Sequence, residues 1–249
     1  MLPIQKLVTK CKNSFQLMLE KKYQHPGVDI LLKTLTALNT DEKSNYLPKK
    51  TKSDTPEAIN KHLPGLKSKI SSSQLDQELG KLSSLVHWRK IFKGKGIDKK
   101  LAEGLCAGQI IGNVGFIKSS QVFMGLFLLA PNICYPLHQH DTLEIYYVIA
   151  GEISIAHGRK KDPFKLNACQ FSITPNNQVH SLFTGESPCL MAYIWVAGGG
   201  DLKSPNWWWE KQMDGSWDRI CWERKADSSW VITGRQKLSA EIISNSGDY

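Results

Sequence analysis

Between residues 138 and 180 the sequence gathers side chains suited to holding a metal ion. The segment His138-Gln139-His140-Asp141-Thr142-Leu143-Glu144-Ile145-Tyr146-Tyr147 places two imidazoles and a carboxylate in an H-x-H-x3-E spacing. Side-chain direction on a strand repeats every two residues, so His138 and His140 share a face. Glu144 and Tyr146 are in phase with them if the pleat is kept or resumed after a short turn. Imidazole and carboxylate suit a divalent first-row metal. A fourth ligand must come from another strand, and His180, in Pro175-x4-His180, is the natural candidate. A lone histidine on an apolar strand is more often a satisfied core residue. The grouping is what argues for a metal here. His157, beside Gly158, reads instead as a surface histidine in a polar turn. His25, His62 and His87 have no partner at ligand spacing.

The elements that must position these residues are short strands. Apolar runs at Val122–Leu129, Glu144–Ile149 and Leu190–Val196 are separated by Gly, Pro and Asn. Many short strands at close spacing indicate an all-β sandwich or barrel from about Cys106 onward. The first third reads helical. Ile4, Leu7, Val8, Cys11, Phe15 and Met18 fall on one helical face, and Val28, Leu31, Leu32 and Leu35 repeat the pattern. His25-Pro26-Gly27 reads as the turn between them, and Thr40 to Lys61, polar and lysine-rich, as a loop. A further amphipathic segment turns Leu75, Leu79, Leu82, Val86 and Trp88 inward. Seven of the eight tryptophans lie between Trp195 and Trp230, and most read as packing residues.

Composition narrows the classes of function. The 249 residues are 41% hydrophobic and 22% charged, as in an ordinary globular protein able to bury a substantial core. No stretch approaches the roughly 20 apolar residues of a membrane span. The net charge of +9 suggests a polyanionic partner until it is divided. Residues 1–100 carry 20 Lys/Arg against 9 Asp/Glu, and the remainder 12 against 14. The positive charge is therefore N-terminal, spread as lysines over loops and helix faces, which describes solvated surface better than a nucleic-acid footprint. The first 22 residues carry lysines throughout, with no apolar stretch or cleavage site, which argues against secretion. Six scattered cysteines without a C-x-x-C pair read as buried free thiols in a reducing compartment. The expected location is cytoplasmic.

The H-x-H-x3-E-x6-G frame, followed by P-x4-H, resembles the metal-binding signature of the cupin superfamily. The glycine usual six residues before the first histidine is here Asn132, which tolerates positive φ better than most side chains. The Gly-Asp opening of the second motif reads Cys169-Gln170. A closer resemblance lies in Leu129-Ala-Pro-Asn-Ile-Cys-Tyr135-Pro-Leu-His138-Gln-His140 with Glu144-Ile-Tyr146-Tyr-Val, preceded by His87-Trp88-Arg89 and Leu105 to Gly112. These stretches are similar to the cupin-type dimethylsulfoniopropionate (DMSP) lyases, the DddL-like group among them, over about residues 85–205. Trp195, fifteen residues after His180, fits the same pattern. The fold this implies is α+β: a helical N-terminal region, residues 1–105, packed on a C-terminal cupin (double-stranded β-helix, jelly-roll) barrel, residues 106–249.

The resemblance implies cleavage of DMSP to dimethyl sulfide and acrylate. It casts His138, His140, Glu144 and His180 as ligands of one divalent metal (iron, zinc, manganese, nickel or cobalt), Tyr146 as general base and Tyr135 as a second tyrosine near the substrate. The chemistry is coherent. A metal can stabilise charge spreading onto the substrate carboxylate as the α-proton leaves, and a nearby cation favours the phenolate of a tyrosine base. Aromatic faces can hold the sulfonium by cation–π attraction, with Tyr135, Trp195 and Trp207 as candidates. Tyr147 faces away. A homodimer is the expected assembly, and neither nucleic acid nor membrane is an expected partner. Two alternatives stand beside this reading. One is another metal-dependent cupin enzyme, such as a sugar isomerase or uronate-processing enzyme, whose site would want Arg, Lys, Asn and Gln facing inward. The other is a non-catalytic cupin serving as a binding or regulatory module.

Overall fold

Amphipathic helices cover one face of a two-sheet β-barrel. The computed structural model describes residues 3–22, 26–37, 55–197 and 206–248. In chain order the elements are α1 Pro3–Lys22, α2 Pro26–Ala37, α3 Glu57–Lys67, α4 Gln74–Ser83, β1 Trp88–Lys90, α5 Lys99–Gly104, β2 Leu105–Ile111, β3 Val122–Leu129, β4 Cys134–Gln139, β5 Thr142–Ala150 and β6 Glu152–His157. They continue with β7 Phe164–Asn167, β8 Phe171–Thr174, β9 His180–Phe183, β10 Cys189–Ala197, β11 Asn206–Lys211, β12 Trp217–Arg224, β13 Trp230–Lys237 and α6 Ala240–Asn245.

The strands form a six-stranded sheet, β1-β2-β3-β10-β5-β8, facing a seven-stranded one, β13-β12-β11-β4-β9-β6-β7. All named strand pairs are antiparallel. This is the double-stranded β-helix architecture. The six-stranded sheet is buried on both faces, so its strands read as continuous apolar runs. All nine residues of β5 are buried. Alternation sorts them: Ile145, Tyr147 and Ile149 join the layer beneath the helices, while Tyr146 and Val148 join the barrel interior. In β10, Leu190, Ala192, Ile194 and Val196 face the helices, and Met191 and Tyr193 the interior.

The helices bind to the sheet through Val8, Cys11 and Phe15 of α1, Val28 and Leu35 of α2, and Leu75, Leu79 and Leu82 of α4. Each fully buried Leu or Phe contributes about 1.5–3 kcal/mol of transfer free energy. The side chains of Ile4 and Leu31, expected on the same faces, lie outside the described residues. One polar latch joins the layers. The buried Asp76 of α4 accepts from Tyr147 Oη at 2.8 Å, from Ser73 Oγ at 2.8 Å, from Cys169 Sγ at 3.2 Å and from Ser71 Oγ.

Several local expectations change. Pro26 and Gly27 open α2 instead of forming a free turn; proline suits the first helical turn, where its missing N–H has no partner to lose. The expected loop from Thr40 lies outside the described residues up to 54, and Glu57 to Lys61 are helical. β1 pairs with β2, so the barrel sheet takes its edge strand from before residue 106. Among the cysteines, all free, Cys134 and Cys169 are exposed and the other four buried. Asn132, at the turn before β4, has φ 56°, and Cys169, where the cupin motif customarily has glycine, has φ 67°.

Candidate metal centre

His138, His140, Glu144 and His180 converge inside the barrel, their ligand atoms all within 4.8 Å of one another. Three short stretches supply them. His138 lies on β4 with His140 just beyond its end, Glu144 lies on β5, and His180 opens β9, directly opposite His138. All four are buried, Glu144 and His180 completely.

Each imidazole is oriented through its outer nitrogen. His138 Nδ1–H donates to the Pro136 carbonyl at 2.8 Å and His180 Nδ1–H to the Gln178 carbonyl at 2.9 Å. His140 Nδ1 bonds Thr142 Oγ1. Such contacts fix the tautomer that leaves Nε2 free for a metal. The three Nε2 atoms therefore point inward. His140 Nε2 lies 2.9 Å and His180 Nε2 3.2 Å from Glu144 Oε2, and His138 Nε2, buried, has no hydrogen-bond partner among the described residues. Three buried imidazoles and one carboxylate with their ligand atoms this close fit a divalent transition metal.

The electrostatics agree. Burial opposes the charged form of Glu144, yet His140 and His180 against its Oε2 hold its carboxyl well below the usual range. Burial, with His180 and His140 close by, keeps His138 neutral far below the usual imidazole range. Metal ligands need these protonation states.

The surrounding aromatics divide by role. The Tyr146 side chain projects into the barrel interior; burial, then Glu144 and Tyr135, raise its pKa well above that of a free phenol. The Tyr135 ring stacks on His138 with centroids 3.8 Å apart, and its hydroxyl accepts from Asn206 Nδ2 at 3.1 Å. Trp195, opposite Glu144 across β5 and β10, donates from Nε1 to Glu144 Oε1 and lays its ring against His140, centroids 4.7 Å apart. Trp207 is not brought to this group. β11 alternates Asn206 and Trp208 inward, which leaves Trp207 on the other face beneath the Arg219 guanidinium, 4.4 Å from its ring centroid. Trp208 is the indole of that run that joins the interior.

A cavity of about 680 Å³ adjoins the centre, with His140 and Trp195 on its wall and Phe127, Tyr193, Trp222 and Trp230 around it. Gln109, Asn206, Arg89 and Arg224 also line it. These polar groups come from β1, β2, β11 and β12, strands outside the three apolar runs read from the sequence. Tyr193 is pushed up to about 12 by burial, which Arg89 and Gln109 oppose. His157 is likewise no free surface residue. It ends β6 opposite His180, half-buried, with Nε2 3.2 Å from Thr174 Oγ1. Burial, His180 and Lys161 lower it to about 4.

The family model for dimethylsulfoniopropionate lyase matches residues 32–191, well over half of the chain and all four ligand positions. The chain belongs to the DMSP lyase family. Among curated relatives, it is 27% identical over 133 residues to a Cereibacter sphaeroides protein provisionally assigned as DMSP lyase DddL; the match covers 53% of this chain and 54% of that one. It is 24% identical over 122 residues to DMSP lyase DddQ of Ruegeria pomeroyi, covering 49% of this chain and 58% of that one. The chain thus spans little more than half the length of either. The crystal structure of R. pomeroyi DddQ superposes with a TM-score of 0.54 at 19% identity, over 82% of this chain and 94% of that chain, a likeness of fold.

Sequence reasoning missed Thr142 and Asn206, which hold His140 and Tyr135, and the cavity arginines. Thr142, two residues from His140 on the same expected strand face, was the one with a usable signal. No helix among the described residues is long and apolar enough to cross a membrane.

Proposed function

We propose that this protein is a metal-dependent DMSP lyase, performing β-elimination to dimethyl sulfide and acrylate. The observation that carries the reading is the convergence of a buried His138–His140–Glu144–His180 set, with Tyr146 two residues along β5 from Glu144 and turned into the same interior, in a chain of the DMSP lyase family.

One divalent ion of iron, zinc, manganese, nickel or cobalt, held by those four residues, supplies Lewis acidity towards the substrate carboxylate. The rest falls to the protein. Trp195 and Thr142 hold the ligands in place, and Tyr135, stacked on His138 and bonded to Asn206, fixes the other side. In the metal-free centre burial and Glu144 hold Tyr146 as a phenol; the charge of a bound divalent ion would favour its phenolate, and the phenolate would take the α-proton and become a neutral phenol. The C–H electron pair becomes the Cα–Cβ double bond, and the C–S bonding pair leaves with sulfur as neutral dimethyl sulfide. The aromatic wall, Trp195 and Tyr193 included, faces the sulfonium, a contact worth about 0.5–2 kcal/mol.

The test is Tyr146→Phe in metal-replete protein. Loss of elimination with metal content retained supports the base assignment; unchanged turnover removes it. The polar groups Gln109 and Asn206 supply a second reading, a metal-dependent cupin enzyme for a hydroxylated carboxylate such as a uronate. Failure to release dimethyl sulfide, together with turnover of a uronate, would favour it.

A further inference from the structure

The cavity holds more than the proposed substrate requires, and its cationic side chains are badly suited to a sulfonium. A small zwitterion fills only a fraction of about 680 Å³. Arg89 of β1 and Arg224 at the end of β12 both line this space; burial first, and then the charge of Arg89, disfavour the charged form of Arg224. Neither makes an ion pair or a side-chain hydrogen bond among the described residues. Glu223 shares the lining and does not come within ion-pair distance of either. Two buried polar atoms on the same wall also lack partners: the donor Trp222 Nε1 and the acceptor Asn206 Oδ1. Trp222 is 2% exposed and Asn206 7%.

This arrangement is held rigidly. Trp230 of β13 donates from Nε1 to the Ile91 carbonyl at 2.8 Å and from its backbone N–H to Lys93 at 2.6 Å. Gly94 leaves no room for a β-carbon beside the Trp230 carbonyl. The chain following Arg89 is thereby pinned to the β12–β13 ribbon that carries Arg224.

Two like charges on one cavity lining without a counter-ion, with an unpaired N–H on a residue of the same lining, make a receptor for an anion. They repel a sulfonium and attract a carboxylate. We propose that Arg89 and Arg224, with the Trp222 indole N–H, form a carboxylate-binding station in this cavity, separate from the metal centre, that takes small monocarboxylates. Resting on the lyase reading, it names the station's role there: it captures the substrate by its carboxylate and directs it inward, and it receives acrylate on the way out.

The experiment titrates the full-length protein with propionate, an unreactive monocarboxylate, and reads the fluorescence of the cavity tryptophans before and after chelation of metal. Wild-type protein binds propionate in both states. Arg89→Gln/Arg224→Gln weakens binding in the chelated state about tenfold or more, as loss of charge-assisted hydrogen bonds requires, and Arg89→Lys/Arg224→Lys, which keeps the charges, recovers part of it. In turnover of DMSP the double Gln variant raises KM with little change in kcat. Propionate binding that vanishes on chelation, or that is the same in the double Gln variant and the wild type, overturns the station. Arginine-dependent propionate binding in a metal-replete protein that releases no dimethyl sulfide upholds the station and defeats the lyase reading alone.

Discussion

Trp195 and Glu144 stand directly opposite one another on β10 and β5, and the indole N–H of the first holds a carboxylate oxygen of the second. The other carboxylate oxygen faces His140 and His180. A tryptophan expected to contact the substrate by its ring thus also orients a metal ligand by its nitrogen. Trp195→Phe keeps a ring and removes the donor, leaving Glu144 Oε1 buried without that partner. Metal affinity should fall by about 10–100-fold, the usual consequence of losing a group that orients a ligand. Competition with a chromophoric chelator measures it; wild-type affinity in a folded variant would refute the role.

Chelation should also destabilise the fold, because the metal binds the native centre and not the unfolded chain. At a free metal concentration of 100 times Kd the stabilisation is about 2.7 kcal/mol, a thermal midpoint shift of roughly 5–10 °C for a chain of this size. His138→Ala should start from the lower midpoint and ignore both chelator and added metal. Calorimetry of the two proteins with and without chelator checks this.

Tyr147 lies beside Tyr146 in sequence and on the opposite face, donating to Asp76 beneath the helices. Tyr147→Phe should cost about 1–3 kcal/mol in denaturant unfolding, as removal of a buried donor to a charged acceptor does, with metal content and turnover unchanged. A variant that unfolds normally and loses turnover would reverse the roles of the two tyrosines.

His157 gives a pH signature of definite sign. Its folded-state pKa is lowered from the ordinary 6.5 to about 4, so between those values the unfolded chain binds the proton that the folded chain refuses. Stability contributed by the neutral imidazole is whole above about pH 6.5 and is lost as pH falls towards 4. His157→Gln should flatten part of that slope in metal-free protein, read as unfolding midpoints at pH 7 and pH 4.5. An unaltered slope would remove His157 as a contributor.

Much of the centre was legible because strand alternation and ligand chemistry are local. His138, His140, Glu144 and Tyr146 follow from period-two spacing, and the apolar runs of β3, β5 and β10 reveal themselves because both their faces are buried. Asn132 could be anticipated at positive φ because few other side chains tolerate it. What escaped depends on long-range pairing. The phase of Trp207-Trp208-Trp209 is set by Trp208 lying opposite His138 across β4 and β11, which no neighbouring residue encodes. α3 was hidden by lysine, by Pro64 within it and by its few apolar anchors. The half-burial of His157 arises from its place opposite His180, and the meeting of Arg89 with Arg224 from strands far apart in the chain.

Headspace detection of dimethyl sulfide from metal-replete protein incubated with DMSP, with acrylate quantified in the same sample, decides whether this centre is a lyase. Equimolar dimethyl sulfide and acrylate are expected, abolished by His180→Ala through loss of metal and by Tyr146→Phe with metal still bound. Protein that holds its metal at the four-residue centre and releases no dimethyl sulfide would contradict it.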